Sequence, residues 1–84
     1  MKKRILICED NKLALKTLST VLQREGYDTD PALDGNVAME LIGKHSFDLV
    51  IVDIHLPFHS GLEIVRHLRT ELKKDTPVII ITAF

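Results

Sequence analysis

Phe47-Asp48-Leu49-Val50-Ile51-Val52-Asp53 is the stretch that decides how the chain folds. Its β-branched, unbroken apolar run has the signature of a strand covered on both faces, and such strands belong to parallel sheets. The run ends abruptly in a carboxylate. The same grammar occurs at Arg4-Ile5-Leu6-Ile7-Cys8, which ends in Glu9-Asp10-Asn11, and at Pro77-Val78-Ile79-Ile80-Ile81, which ends in Thr82-Ala83-Phe84. Tyr27 to Ala32 is a weaker strand interrupted by Asp28, Asp30 and Pro31. Proline is tolerated on edge strands and almost nowhere else in a sheet, so this strand is placed at an edge.

Between the strands the period changes. Ala14, Leu15, Leu18, Val21 and Leu22 recur at three- and four-residue spacing and predict one apolar helix face. Asp10 or Asn11 can cap that helix, and Gly26 stands where a glycine would end it. Asp34-Gly35-Asn36 reads as a turn and cap before a short helix that carries Val37, Ala38, Leu41 and Ile42 inward. Residues 54–60 form a loop containing Pro57, and Gly61 opens a third helix with Leu62, Ile64, Val65, Leu68 and Leu72 on its apolar side. Strands alternating with helices imply an α/β fold with right-handed crossovers and a parallel sheet.

Composition narrows the field. The 84 residues make one small domain, with 45% apolar and 27% charged residues as in ordinary globular chains. A formal net charge of −1 gives no basic field for nucleic acid. The apolar run after Lys2-Lys3-Arg4 is too short for a signal segment, and no stretch approaches a membrane span. A reduced cytoplasm is the default compartment. The single Cys8 cannot form an internal disulfide and reads as a small core residue. The four histidines receive little weight as a transition-metal site. His55 and His59 read as solvent-exposed loop residues that could tune access to a site beside them, and His45 and His67 as surface positions on helices.

In parallel sheets ligands bind beyond the carboxyl ends of the strands, which draws Glu9, Asp10, Asp53 and Thr82 together. Carboxylates on neighbouring strands, about 4.8 Å apart, repel unless a cation joins them. Mg²⁺ is the natural cation, being hard, oxygen-seeking and prone to bridge to phosphate. The constellation points to metal-assisted phosphoryl transfer onto Asp53, with the Thr82 hydroxyl across the pocket. The structural alternative is that acidic residues after buried strands merely return the chain to water and cap helices. A Walker-B reading of Leu49 to Asp53 needs a G-x-x-x-x-G-K-[ST] loop, and the sequence has none.

Ile7-Cys8-Glu9-Asp10-Asn11, Leu33-Asp34-Gly35, the strand ending at Asp53, Asp53-Ile54-His55-Leu56-Pro57-Phe58-His59-Ser60-Gly61 and Ile80-Ile81-Thr82-Ala83 resemble the receiver domain of two-component response regulators. The resemblance runs in register from residue 4 to residue 84. It implies a flavodoxin-like, doubly wound sheet with strand order 2-1-3-4, the family's α4-β5-α5 lying beyond what these residues reach. It also implies a signalling switch rather than an enzyme, with at most self-phosphotransfer and self-dephosphorylation. Asp53 would accept a phosphoryl group from a histidine kinase or phosphotransfer protein. Asp10 and Asp53 would hold Mg²⁺ directly, Glu9 mostly through water, and the His55 carbonyl would add an oxygen. Thr82 and the Ala83 amide would bind phosphoryl oxygens. Phe84, two residues past Thr82, could control access.

The family's phosphoryl-pairing lysine has no counterpart among Lys12, Lys44, Lys73 and Lys74, so slow or impaired phosphorylation is expected of the 84 residues. A bare fourth strand would favour self-association. A non-catalytic association module and a small metal-dependent phosphatase-like enzyme using Asp53 are the competing readings.

Overall fold

A computed structural model of the protein describes residues 2–82. The element order is β1 (Arg4–Cys8), α1 (Lys12–Arg24), β2 (Asp28–Ala32), α2 (Gly35–Lys44), β3 (Leu49–Asp53), α3 (Gly61–Arg66), a π-helical segment (His67–Glu71) and β4 (Val78–Ile81). All pairings are parallel and the sheet order is β2-β1-β3-β4. β2 is an edge strand, as Pro31 requires: the ring removes a ladder donor and would interrupt a central strand.

Side-chain alternation splits the core across the sheet. Leu6, Cys8, Val50 and Val52 face one way and pack with Ala38 and Ile42 of α2 and with Ile64 and Leu68 beyond β3. Ile5, Ile7 and Ile51 face the other way against Leu15, Leu18 and Leu22 of α1. Helices therefore cover both faces, which is why β1 and β3 read as continuous apolar runs. At the amino ends of the strands, Arg4 ties three elements together. Its Nε donates to Asp30 Oδ2 at 2.6 Å, its backbone N–H to Asp48 Oδ2 at 2.8 Å, and its guanidinium lies 5.3 Å from the Phe47 ring centroid.

Helix ends follow the capping chemistry. Asn11 rather than Asp10 caps α1, accepting from the Ala14 N–H at 3.0 Å, and Asp34 caps α2, accepting from the Val37 N–H at 2.9 Å. Gly26 takes φ 93° after α1, the left-handed stop that glycine makes cheaply.

Several expected boundaries and faces differ. β3 begins at Leu49, because Phe47 and Asp48 are bent into contacts with Arg4. Val21, Val37 and Leu62 are 52%, 38% and 56% exposed rather than inward. At about 100° per residue, Leu62 points roughly 160° away from the buried Ile64, and Val21 and Val37 fall on the flanks of their helix faces. The third helix is not uniformly α-helical. Leu72 N–H donates to His67 O at 3.0 Å, five residues back. The helix then stops with Lys73 at φ 52° and Lys74 N–H bonded to Leu68 O at 3.0 Å, a Schellman-type ending with lysine in the glycine position.

Candidate functional site

Because β1 and β3 are adjacent and in register, Cys8 opposite Val52, the residues that follow them emerge side by side. One carboxylate oxygen each from Glu9, Asp10 and Asp53 lie within 4.8 Å of one another. Asp53 is 8% exposed and Glu9 7%, whereas Asp10 stands open to solvent. Glu9 is fixed by its backbone N–H, which donates to Ala32 O at 3.0 Å, and its Oε2 is buried without a hydrogen-bond partner. Burial, with the neighbouring Asp53 carboxylate second, pushes the Glu9 carboxyl up to about 7.

Asp53 Oδ1 accepts the His55 backbone N–H at 2.9 Å, which fixes the carboxylate rotamer. His55 itself is exposed. Ile81 is the register partner of Asp53, so Thr82, exposed, stands one residue past it on the neighbouring strand. Ile54 N–H donates to Ile81 O at 2.9 Å and ties that strand end to the β3 terminus. Ala83 and Phe84 lie outside the described residues.

The loop from Ile54 to Ser60 is held by contacts that sequence periodicity does not reveal. Gly61 N–H donates to Ile54 O at 3.1 Å, and a Cβ at Gly61 would meet Asp53 O at 2.7 Å. Gly35 N–H donates to Pro57 O at 2.8 Å, and a Cβ there would meet the His59 backbone at 2.5 Å. Two glycines thus admit close backbone approach behind the acidic mouth. Ser60 and Glu63 form a capping box: Ser60 Oγ accepts from Glu63 N–H at 3.2 Å and Glu63 Oε1 from Ser60 N–H at 3.3 Å. The S-x-x-E spacing was the available signal.

The reading of the histidines needs correcting. His59 Nδ1 lies 3.2 Å from Glu63 Oε2, four residues on, so His59 is engaged with a carboxylate rather than free in the loop. His59 is half-buried, and its ring together with Ser60 holds the Glu63 carboxyl below its usual range. His67 is also half-buried, lining a groove with Met39 and Glu63. His45 follows α2 with its ring edge-on to Phe47 at 6.4 Å. Cys8 is fully buried, and burial pushes its thiol up to about 12, the character of a core residue.

The family model for the response regulator receiver domain matches residues 5–84. The chain belongs to the response regulator receiver family. This receiver domain is 38% identical over 85 aligned positions to the polar-differentiation response regulator DivK of Brucella ovis, covering all of this chain and 69% of DivK. It is 40% identical to the response regulator TrrA of Thermotoga maritima, solved in complex with Mg²⁺-BeF, with a TM-score of 0.89 over 98% of this chain and 70% of that one. A response regulator from Burkholderia pseudomallei, solved with a phosphorylated aspartic acid and a calcium ion, is 31% identical with a TM-score of 0.88, covering 99% of this chain and 48% of that one. The receiver's four-stranded order and helices on both faces are the flavodoxin-like architecture that the family resemblance implies. No helix among the described residues is long and apolar enough to cross a membrane.

The donor set suits Mg²⁺. Three carboxylates converge, and one presents a buried oxygen with no partner, the condition a hard cation relieves.

Proposed function

We propose that the protein is a phosphoacceptor switch of a two-component phosphorelay, with Asp53 the residue that takes the phosphoryl group. The observation that carries this reading is the convergence of Glu9, Asp10 and Asp53 within 4.8 Å at the carboxyl end of the sheet, with Asp53 nearly buried at its floor. Asp10 and Asp53 would hold Mg²⁺ directly, with Glu9 acting mainly through water and the His55 carbonyl as a further oxygen. When bound, the ion would neutralise the carboxylates and screen the phosphoryl oxygens.

The chain's own part in the reaction is positional and nucleophilic. An Asp53 carboxylate oxygen attacks phosphorus in line, and the donor's phosphoramidate P–N bond breaks. The imidazole leaves with the electron pair and takes a proton from water, while Asp53 becomes an acyl phosphate. The His55 N–H holds the carboxylate in its rotamer for this attack. Phosphorylation adds negative charge and strong acceptors, for which the Thr82 hydroxyl and Ala83 amide are the donors. Movement of Thr82 onto the phosphoryl oxygen would be the element that the modification biases. The donor would be a histidine kinase or phosphotransfer protein. A reducing cytoplasmic setting suits the free, buried Cys8.

Lys44 is paired with Glu40 at 2.7 Å, and the Lys74 ammonium lies 3.5 Å from the Ile42 and His45 carbonyls at the far end of α2. Neither is placed to meet a phosphoryl group.

The test is beryllofluoride with Mg²⁺, a mimic of the acyl phosphate. A rise in the urea midpoint that needs both reagents and vanishes in Asp53→Asn supports the switch. Multiple turnover of a phosphate ester would instead support a phosphatase-like enzyme.

A second reading has its own support. Ile79 and Ile80 on β4 are 49% and 43% exposed, and the outer edge of β4 has no partner strand among the described residues. The 84-residue polypeptide would then associate through this edge as a module indifferent to Asp53. Sedimentation showing self-association unchanged in Asp53→Ala supports that reading, and a folded monomer at low micromolar concentration opposes it.

A further inference from the structure

Phe58 is at odds with its own backbone. It has φ 71°, and the His59 N–H bonds to Pro57 O at 2.9 Å across it, so Phe58 is the centre of a γ-turn of the rare, strained hand. Bulky side chains avoid that region, and glycine occupies it freely. Lys73, also left-handed, is accounted for by the helix-stop bonds around it. Phe58 has no such compensation in packing, because its side chain is 74% exposed. Neither local conformation nor the core explains an aromatic residue here.

Its position in the fold does. The sheet is parallel, so segments following the strands' carboxyl ends gather at one end of the molecule. Phe58 follows β3 by five residues, on the loop that Asp53 begins. The same end carries Leu13 in the first turn of α1, 74% exposed, Leu33 directly after β2, 41% exposed, and Leu62 in the first turn of α3, 56% exposed. The end of the molecule that carries the acidic mouth thus also carries large apolar side chains facing water, with the aromatic on a loop tied down by the bonds from Gly35 N–H to Pro57 O and from Gly61 N–H to Ile54 O. Exposed aromatics on rigid supports are the typical anchors of protein–protein recognition.

We propose that Phe58 is a specificity residue for the protein phosphodonor: its ring, kept exposed at the mouth against the preference of its backbone, inserts into an apolar surface of the donor as the phosphohistidine meets Asp53. This rests on the phosphoacceptor reading above. A small phosphodonor needs no such anchor, and that contrast supplies the test.

Phe58→Gly, Phe58→Asn and Phe58→Tyr are compared with the unaltered chain in three measurements. In urea, Phe58→Gly raises the midpoint, because the turn is relieved and no packing is lost. A lowered midpoint would mean that the ring holds the fold together and would overturn the proposal. With acetyl phosphate and Mg²⁺, all variants label Asp53 as the unaltered chain does. With the radiolabelled, autophosphorylated cytoplasmic portion of the histidine kinase that is the fastest donor in a panel, Phe58→Gly and Phe58→Asn are slowed by about tenfold or more, the effect of losing one interface anchor. Phe58→Tyr remains fast. Equal transfer to all variants overturns the proposal, as does a panel in which no kinase labels the unaltered chain while acetyl phosphate does. If acetyl phosphate fails to label Asp53 in the unaltered chain, the phosphoacceptor reading itself has failed.

Discussion

Replacing Glu9 with Gln probes the electrostatics of the mouth without changing its shape. The carboxyl of Glu9 is raised from an ordinary 4.5 to about 7 by burial and by the Asp53 carboxylate. A folded-state value above the unfolded one means that the folded chain holds this proton more tightly. The resulting stabilisation is complete below about pH 4.5 and is lost as pH rises through about 7. At about 1.4 kcal/mol per pH unit the full difference is on the order of 3 kcal/mol. The pocket opens to water on the Asp10 side, and screening there trims the expected effect to about 2 kcal/mol. In EDTA, Glu9→Gln should therefore match the wild type near pH 5 and exceed it by about 2 kcal/mol near pH 8. Urea unfolding followed by circular dichroism at one fixed protein concentration measures this directly. Millimolar Mg²⁺ at pH 8 should narrow or reverse the gap, since a ligand of the folded state stabilises the chain that binds it better. A Glu9→Gln variant less stable than wild type at pH 8 in EDTA, or a difference independent of pH, would refute the reasoning.

Other consequences follow from particular contacts. Gly61→Ala places a Cβ 2.7 Å from Asp53 O and 2.9 Å from Ile54 Cα, both on backbone that cannot swing aside. It should cost roughly 1–3 kcal/mol in urea unfolding and slow Asp53 labelling by displacing its backbone. Leu6→Ala, at a fully buried position in the centre of the sheet, should cost about 2–5 kcal/mol, enough to unfold much of so small a domain. Cys8, buried and with its thiol at about 12, should resist Ellman's reagent until urea unfolds the chain. Rapid labelling of the native protein would contradict its placement in the core.

Most of the fold is visible in the residues because β1 and β3 are covered on both faces and leave unbroken apolar runs, each closed by a carboxylate. Pro31 likewise declares its strand an edge. The positions misjudged as inward, Val21, Val37 and Leu62, are those where a three- or four-residue count admits a residue on the flank of a helix face that the sheet does not reach. The π-helical segment, whose end is marked by the Leu72 N–H reaching back five residues to His67 O, has no signature in the apolar spacing. At the site, the strand-end rule sufficed to gather Glu9, Asp10 and Asp53. The supporting contacts were hidden for a different reason. Gly35 and Gly61 matter through backbone atoms far along the chain, Pro57, His59 and Asp53, and only the folded arrangement brings those together. The capping pair Ser60 and Glu63, and the His59 contact with Glu63, were legible in the spacing and were missed.

The central claim is that Asp53 is the nucleophile of a magnesium-dependent phosphoryl transfer. Intact-protein mass spectrometry after prolonged incubation with acetyl phosphate tests it most directly. The account predicts a gain of one phosphoryl group in the presence of Mg²⁺, none in EDTA, and none in Asp53→Asn. No gain in the wild-type chain, or a gain that persists in Asp53→Asn, would contradict it.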